Sequence, residues 1–150
     1  MRTFAHLADL AALEGQEIGA SDWLAIDQAR IDEFAHATDD VQWIHVDPAR
    51  AAAGPFGATV AHGFLTLSLL SRLAAGAFRI DDVRMGLNYG LDRVRFPSPM
   101  TVDSRLRAVC VLRRFEAIEG GAQVTLTVTV EREGGGKPAC VAEWVTRHYP

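Results

Sequence analysis

The spacing of hydrophobic positions changes halfway along the chain, from helical in the first half to strand-like in the second. Between residues 27 and 38, the side chains of one face recur at helical spacing, at Ile31, Phe34, Ala35 and Thr38. Asp27 can cap the N-terminus of this segment, because its carboxylate accepts hydrogen bonds from the free backbone N–H groups of a first turn. The pattern predicts a helix over 27–38 that ends at Asp39 and Asp40. The same half also predicts a short amphipathic helix over Leu7 to Leu13 and an edge strand over Gln16 to Ile26.

Two further helices are predicted before the middle of the chain. The first covers residues 49–53, with Asp47 as N-cap, Pro48 at the first helical position and Gly54-Pro55 as terminator. The second covers residues 64–75, where apolar residues occur nearly all round. A helix of that kind is buried on most of its sides.

Alternating apolar and polar residues predict antiparallel strands in the second half. Four strands are expected, over Met85 to Phe96, Val102 to Leu112, Val124 to Glu131 and Ala139 to Tyr149. Such a sheet has one apolar face, which the apolar helix can cover. The predicted fold class is α+β, an antiparallel sheet wrapped around a central apolar helix. One helix covers little of so wide a sheet, so we expect apolar surface that a two-fold dimer would bury.

Composition narrows the class of protein and its partners. The chain has 150 residues, 49% of them hydrophobic, so residues 1–150 are expected to form one domain around one core. A net charge of −4 argues against nucleic acid as a partner, because neutralising phosphates requires a basic surface. No segment reads as a leader or a membrane span, so we expect a cytoplasmic protein without a membrane partner. Cys110 and Cys140 lack metal-ligand spacing and are expected to be buried thiols.

Asp40 and His45 are the most informative polar pair, five residues apart beyond the end of the predicted helix. A carboxylate and an imidazole held on a turn can contact one small molecule such as water, which general acid–base catalysis requires. The alternative is structural. Asp40 would terminate the helix, and His45 would be a half-buried loop residue satisfied by a neighbour.

The stretch from Asp40 to Pro48, followed by Ala61-His62-Gly63-Phe64, resembles the MaoC-like dehydratase family of R-specific enoyl-thioester hydratases and 3-hydroxyacyl-thioester dehydratases. The similarity covers nearly the whole chain and is close to the single-domain, NodN-like branch of mycobacterial type. It implies the hot-dog fold for residues 1–150, in agreement with the predicted elements. It also implies that Asp40 and His45 are catalytic.

The sequence departs from the family motif in two places. Asp39 stands where the motif has glycine, and Gln42-Trp43 replaces Asn-Pro. The amide of Gln42 can keep a polar orienting role in substrate binding. Trp43 cannot imitate the rigid proline, and we expect it to shape the acyl pocket.

The reaction implied by the resemblance is reversible syn addition of water to a trans-2-enoyl thioester, giving an R-3-hydroxyacyl thioester. Asp40 and His45 would activate the water. The backbone N–H of Gly63 would stabilise the thioester oxyanion, and Ser71 would be a lesser polar contact. The substrate would be an acyl-CoA or acyl-carrier-protein thioester, with no cofactor or metal, and the protein would be a homodimer.

Several residue assignments stay open. Gly63 could instead be a packing glycine between helix and sheet. His62 is placed outside the catalytic set, because a histidine among apolar residues is more often a hydrogen-bonded core residue. The cations that would bind the carrier phosphates are not distinguished among Arg84, Arg93, Arg95, Arg105 and Arg107.

Three other functions are compatible with parts of the sequence. Hot-dog folds also host thioester hydrolysis, so a thioesterase is one alternative. A subunit that binds acyl thioesters without turning them over is another, favoured by Gln42-Trp43. A metal site made of Asp40, His45 and Asp47 is disfavoured, because Asp47 is already used as a helix cap.

Overall fold

Eight strands and six helical segments make up residues 1–150, all of which the computed structural model describes. The strands are β1 (Arg2–Phe4), β2 (Glu17–Ala20), β3 (Leu24–Ala25), β4 (Phe78–Ile80), β5 (Met85–Arg95), β6 (Arg105–Ile118), β7 (Gly121–Arg132) and β8 (Cys140–Tyr149). The helices are a 3-10 helix (Leu7–Leu13), α1 (Gln28–Thr38), α2 (Trp43–Val46), α3 (Pro48–Ala52), α4 (Gly63–Ser68) and α5 (Leu70–Ala77).

Six strands form one antiparallel sheet in the order β2-β6-β7-β8-β5, with β3 also paired to β6. Along β7, every second residue from Ala122 to Val130 is buried, which is the period expected of a strand with one face on the core. The four long strands predicted in the second half are confirmed. β1 and β4 form a separate two-stranded parallel sheet, which the sequence analysis did not predict.

Helices α4 and α5 cover the apolar face of the large sheet. Their inward residues join one core with the inward residues of the long strands, the helical members being Leu65, Leu69, Leu70, Leu73, Ala74 and Ala77. The end of α5 lies so close to β2 that a Cβ at Gly19 would collide with the backbone carbonyl of Ala77. This close approach fixes the direction of the helix pair relative to the sheet.

The structure corrects three details of the predicted elements. The apolar helix is not one continuous element, because Leu69 interrupts it between α4 and α5, and it is not buried at its N-terminal turn, where Phe64 is 68% exposed. The strand expected from Val102 begins at Arg105, since Asp103 has a φ of 63° that no extended strand allows. The single edge strand expected over 16–26 is two short strands, β2 and β3.

Strand β5 is an edge of the sheet and exposes large apolar side chains. These are Met85, Leu87, Tyr89 and Leu91, with Phe96 directly after the strand. Unpaired backbone groups beside apolar side chains are a surface on which another strand can pair. The leftover apolar surface expected from the sequence is therefore present, and it lies on β5.

Both cysteines point to the core. Cys110 and Cys140 are free and fully buried, as predicted. Burial raises the pKa of the Cys110 thiol to about 12, so this thiol is a protonated packing group at neutral pH. Among the helices, none has the length and apolar character needed to span a membrane.

Candidate active site

The end of helix α1 positions Asp40. Asp27 caps the helix as predicted, its carboxylate accepting a hydrogen bond from the Arg30 N–H at 2.9 Å. The helix ends at Asp39, whose φ of 58° lies in the left-handed region that glycine adopts most easily. This conformation explains why the family motif has glycine here. After it the chain leaves the helix axis, and the Asp40 side chain is 54% exposed.

His45 lies on the short helix α2 and is held by several hydrogen bonds. The residue is 7% exposed, and its Nδ1 lies 2.6 Å from the carbonyl oxygen of Val60. Its own carbonyl accepts a hydrogen bond from the side-chain amide of Gln28 at 2.8 Å. The Thr59 hydroxyl in turn donates to the Gln28 amide oxygen at 2.6 Å. Helix α1 and the segment before α4 therefore fix His45 from two sides.

The partner of Nδ1 decides the tautomer of His45. A carbonyl oxygen can only accept, so the proton lies on Nδ1 and Nε2 is left as a free acceptor. Burial lowers the pKa of His45; the proximity of His62 adds to this, while the Val60 carbonyl and the Asp40 carboxylate oppose it. His45 is accordingly a neutral imidazole near pH 7, with Nε2 able to take a proton.

His62 lies against both predicted catalytic residues. It is 3% exposed, and its ring stacks on that of His45 with centroids 3.7 Å apart. Its Nε2–H donates to the backbone carbonyl of Asp40 at 2.9 Å and lies 4.0 Å from the Asp40 carboxylate. Its Nδ1 is buried without a hydrogen-bond partner. His62 is buried, as its apolar sequence context predicts, but it is also part of the candidate site.

One ligand atom from each of Asp40, His45 and His62 lies within 4.8 Å of the others. At such a separation, a carboxylate oxygen of Asp40 and a ring nitrogen of His45 can both accept hydrogen bonds from one water, about 2.8 Å from each. A metal ion suits the arrangement less well. The lone pairs of an imidazole lie in its ring plane, and the two rings are stacked at 23°. Asp47 instead caps α3 through the Arg50 N–H at 3.0 Å, as predicted.

Gly63 is the first residue of α4, so its N–H belongs to the first turn and has no acceptor within the helix. A Cβ at this position would lie 3.1 Å from the ring of Phe96. Close packing against Phe96 is therefore one reason for glycine here. The same absence of a side chain leaves the N–H accessible to a ligand.

The other predicted site residues, Gln42, Trp43 and Ser71, lie outside the cluster of Asp40, His45 and His62. Gln42 is the exposed residue before α2, and its carbonyl accepts a hydrogen bond from the His45 N–H at 2.9 Å. Trp43 packs over the end of α3, with the Arg50 guanidinium 4.4 Å from its ring. Ser71 lies on α5, two helical turns beyond Gly63.

A groove follows α4 and α5 along β5. One part of it is a pocket of about 170 Å³ lined by Leu67 of α4, Leu70 of α5 and Leu91 of β5. This pocket shares Ser71, Asn88 and Trp144 with a larger one of about 340 Å³. Eight of the fourteen residues lining the larger pocket are hydrophobic. The groove suits a long, mainly apolar group.

Comparison with known proteins identifies the family of proteins to which this fold and its candidate site belong. A family model described as the MaoC like domain matches residues 9–134. The chain belongs to the MaoC-like dehydratase family, which has the hot-dog fold and belongs to the hydro-lyases.

Individual relatives agree with this assignment. The 3-hydroxyacyl-thioester dehydratase Z of Mycobacterium tuberculosis is 54% identical over 149 residues, 99% of each chain. Nodulation protein N of Rhizobium leguminosarum bv. viciae is 51% identical over 144 residues, 93% of this chain and 89% of that protein. The (R)-hydratase from A. caviae involved in PHA biosynthesis superposes with a TM-score of 0.71 at 26% identity, covering 91% of this chain and 96% of that one.

Proposed function

We propose that this protein is an R-specific enoyl-thioester hydratase, which catalyses reversible syn addition of water to a trans-2-enoyl thioester. The observation that carries the proposal is the juxtaposition of the Asp40 carboxylate with His45, whose Nε2 is a free acceptor. The names of the hydratase and dehydratase relatives support the same reaction. The product is an R-3-hydroxyacyl thioester, and the reverse reaction is its dehydration.

Water is a poor nucleophile at neutral pH and has to be activated. Asp40 and His45 hold one water between them for this purpose. The pair orients the water oxygen toward C3 of the substrate and takes one of its protons as the C3–O bond forms. The π electrons of the C2–C3 double bond move toward the thioester carbonyl. One member of the pair then returns a proton to C2 on the same face, which regenerates the enzyme.

The Gly63 N–H stabilises the negative charge that develops on the thioester oxygen. It is a first-turn donor at the positive end of α4. A donor fixed before the reaction stabilises a developing oxyanion more effectively than one that must reorient.

His62 acts as a positioning residue. Its Nε2–H holds the backbone of Asp40, while its ring packs flat on His45. A displacement of either catalytic group would change the distance that one water has to bridge. His62 therefore maintains the separation between the carboxylate and the imidazole.

The acyl chain lies in the groove between α4–α5 and β5, and a second copy of the chain completes the site. Exposed apolar residues of β5 adjoin this groove, and Phe64 and Phe96 beside Gly63 are exposed as well. Pairing two β5 edges buries this surface and gives the homodimer. The carrier is coenzyme A or acyl carrier protein; Arg105 and Arg107 are less available to its phosphates, because they are paired with Glu133 and Glu131.

The first experiment follows the enoyl-thioester absorbance of crotonyl-CoA, with free thiol measured in parallel. Loss of absorbance without thiol release is expected, with a product of R configuration by chiral chromatography. Asp40→Asn and His45→Gln should each lower kcat about 10²- to 10⁴-fold, the usual contribution of a general acid or base. Thiol release would indicate a thioesterase. Binding of crotonyl-CoA and longer enoyl-CoA substrates without turnover would indicate a non-catalytic subunit.

A further inference from the structure

A histidine far from the candidate active site lies in the wall of the larger pocket. His148 is on β8, where it faces Gly86 of β5 across the sheet. Thr146, two residues earlier on the same face of β8, also lines the pocket. The mechanism proposed above uses neither residue.

The hydrogen bonds around Thr146 fix the tautomer of His148. The Thr146 hydroxyl lies 3.2 Å from the carbonyl oxygen of Val124 and 2.8 Å from His148 Nε2. A hydroxyl has one proton, and the carbonyl can only accept it. Both contacts are hydrogen bonds only if Thr146 donates to Val124 and His148 Nε2–H donates to Thr146. Nδ1 of His148 is then an acceptor.

Gly86 leaves this acceptor uncovered. A Cβ at position 86 would lie 3.6 Å from His148 Nδ1 and would occupy the space beside it. Burial also lowers the pKa of His148, so the ring stays neutral near pH 7 and Nδ1 remains free of a proton. A ligand group that donates a hydrogen bond can fill the space beside Gly86.

Helices α4 and α5 indicate which part of the substrate can reach His148. Ala75 of α5 lines the same pocket as His148 and Gly86. Ala75 is on α5, twelve residues beyond Gly63 and past the break at Leu69. A substrate whose thioester oxygen contacts Gly63 would bring a distant part of its acyl chain, not the region around C3, to His148.

We propose that His148 Nδ1 accepts a hydrogen bond from a hydroxyl group near the far end of the acyl chain, so that the enzyme favours hydroxylated enoyl thioesters over unsubstituted chains of equal length. The inference rests on the proposed hydratase function and adds the substrate class. The rest of the groove is mainly apolar and accommodates the methylene chain.

The test compares each ω-hydroxy-trans-2-enoyl-CoA with its unsubstituted counterpart, from the hexenoyl to the hexadecenoyl chain. At the length that reaches His148, the hydroxylated substrate should have a kcat/KM about fivefold higher, the contribution of one neutral hydrogen bond. His148→Phe should abolish this preference, so that the hydroxylated and unsubstituted substrates of each length have equal kcat/KM. Gly86→Ala should reduce the preference, whereas Gly90→Ala on the same strand, where a Cβ meets no atom within 4 Å, should not.

Equal kcat/KM values for the two substrates at every length, or a preference that survives His148→Phe, would overturn the inference. Calorimetric binding of the saturated hydroxylated and plain acyl-CoA pairs gives a readout that does not depend on turnover. If the wild-type protein discriminates in binding but hydrates neither series, the hydratase proposal fails and the binding site stands. Without discrimination in binding, the assignment of His148 fails whatever the turnover.

Discussion

The imidazoles of His45 and His62 are stacked, with ring centroids 3.7 Å apart and ring planes 23° from parallel. Each ring uses one nitrogen to hold the backbone, His45 on Val60 and His62 on Asp40. The proximity of His62 also contributes to the lowered pKa of His45, because a second positive charge this close is unfavourable. His62 thus affects both the position and the proton affinity of the proposed base.

Replacing His62 should distinguish its effects on the position and proton affinity of His45 from a general loss of protein stability. In His62→Asn, kcat should fall roughly 10- to 100-fold with little change in KM, because small displacements of catalytic groups are costly. The acid limb of the pH profile of kcat/KM should move to higher pH, since removing His62 raises the pKa of His45. His36→Asn, on the exposed face of α1, is the matched control. In a folded His62→Asn protein, an unshifted acid limb would count against the effect of His62 on the pKa of His45, and an unchanged kcat would count against the positioning role.

Buried neutral histidines should make the protein less stable in mild acid. His45 and His148 have lowered pKa values in the folded state, so below about pH 6.5, the ordinary histidine value, the unfolded chain binds more protons than the folded chain. Their contribution is fully present above that pH and is lost as the pH falls toward the folded-state pKa values. The slope is at most about 1.4 kcal/mol per pH unit for each histidine. Urea unfolding between pH 5 and pH 8 measures it, and His148→Phe should flatten the curve.

The left-handed conformation of Asp39 gives a prediction about stability. Asp39→Ala should reduce the free energy of unfolding by about 1 kcal/mol, because a Cβ without a polar group is unfavourable at a φ of 58°. Asp39→Gly should be tolerated with a smaller change, as the family motif implies, and should retain activity. Thermal or urea unfolding of the two variants side by side measures the difference. Equal stabilities would contradict the backbone explanation.

The exposed edge strand predicts the oligomeric state. Tyr89→Lys places a second positive charge beside Arg147, whose guanidinium lies 3.6 Å from the Tyr89 ring centroid, and removes the exposed aromatic ring. The variant should be monomeric in sedimentation experiments and should lose hydratase activity, since in our proposal a second copy of the chain completes the site. Glu119→Lys, in the turn between β6 and β7, introduces the same side chain away from β5 and should remain dimeric. A wild-type monomer with full activity would refute the dimer proposal.

Sequence patterns predicted the helix caps and strand faces correctly, because these depend on residues that are close together along the chain. Asp27 and Asp47 cap their helices as expected, and the alternation in β7 gave the buried face correctly. The pairing of β1 with β4 joins residues more than seventy positions apart, and two three-residue strands leave no periodic signal. The break at Leu69 likewise has no glycine or proline to mark it.

The candidate site was predictable in part for a similar reason. Asp40 and His45 stand out because they are polar residues close together in sequence beyond a helix end. His62 is surrounded by apolar residues in the sequence, a context shared by structural histidines. Only the fold shows that it contacts both Asp40 and His45. His148 gave no signal, because its environment depends on Gly86 and Thr146 on neighbouring positions of the sheet.

The hydrogen bonds of Gln28 connect the site to the assembly of the chain. This residue begins α1, holds the His45 carbonyl on α2 and accepts from Thr59 in the segment before α4. These three segments are joined by no continuous helix or strand, so they meet only after the tertiary structure has formed. A chain in which these segments have not packed together lacks the geometry of the candidate site, and the return of activity during refolding would report that packing rather than the formation of the separate helices.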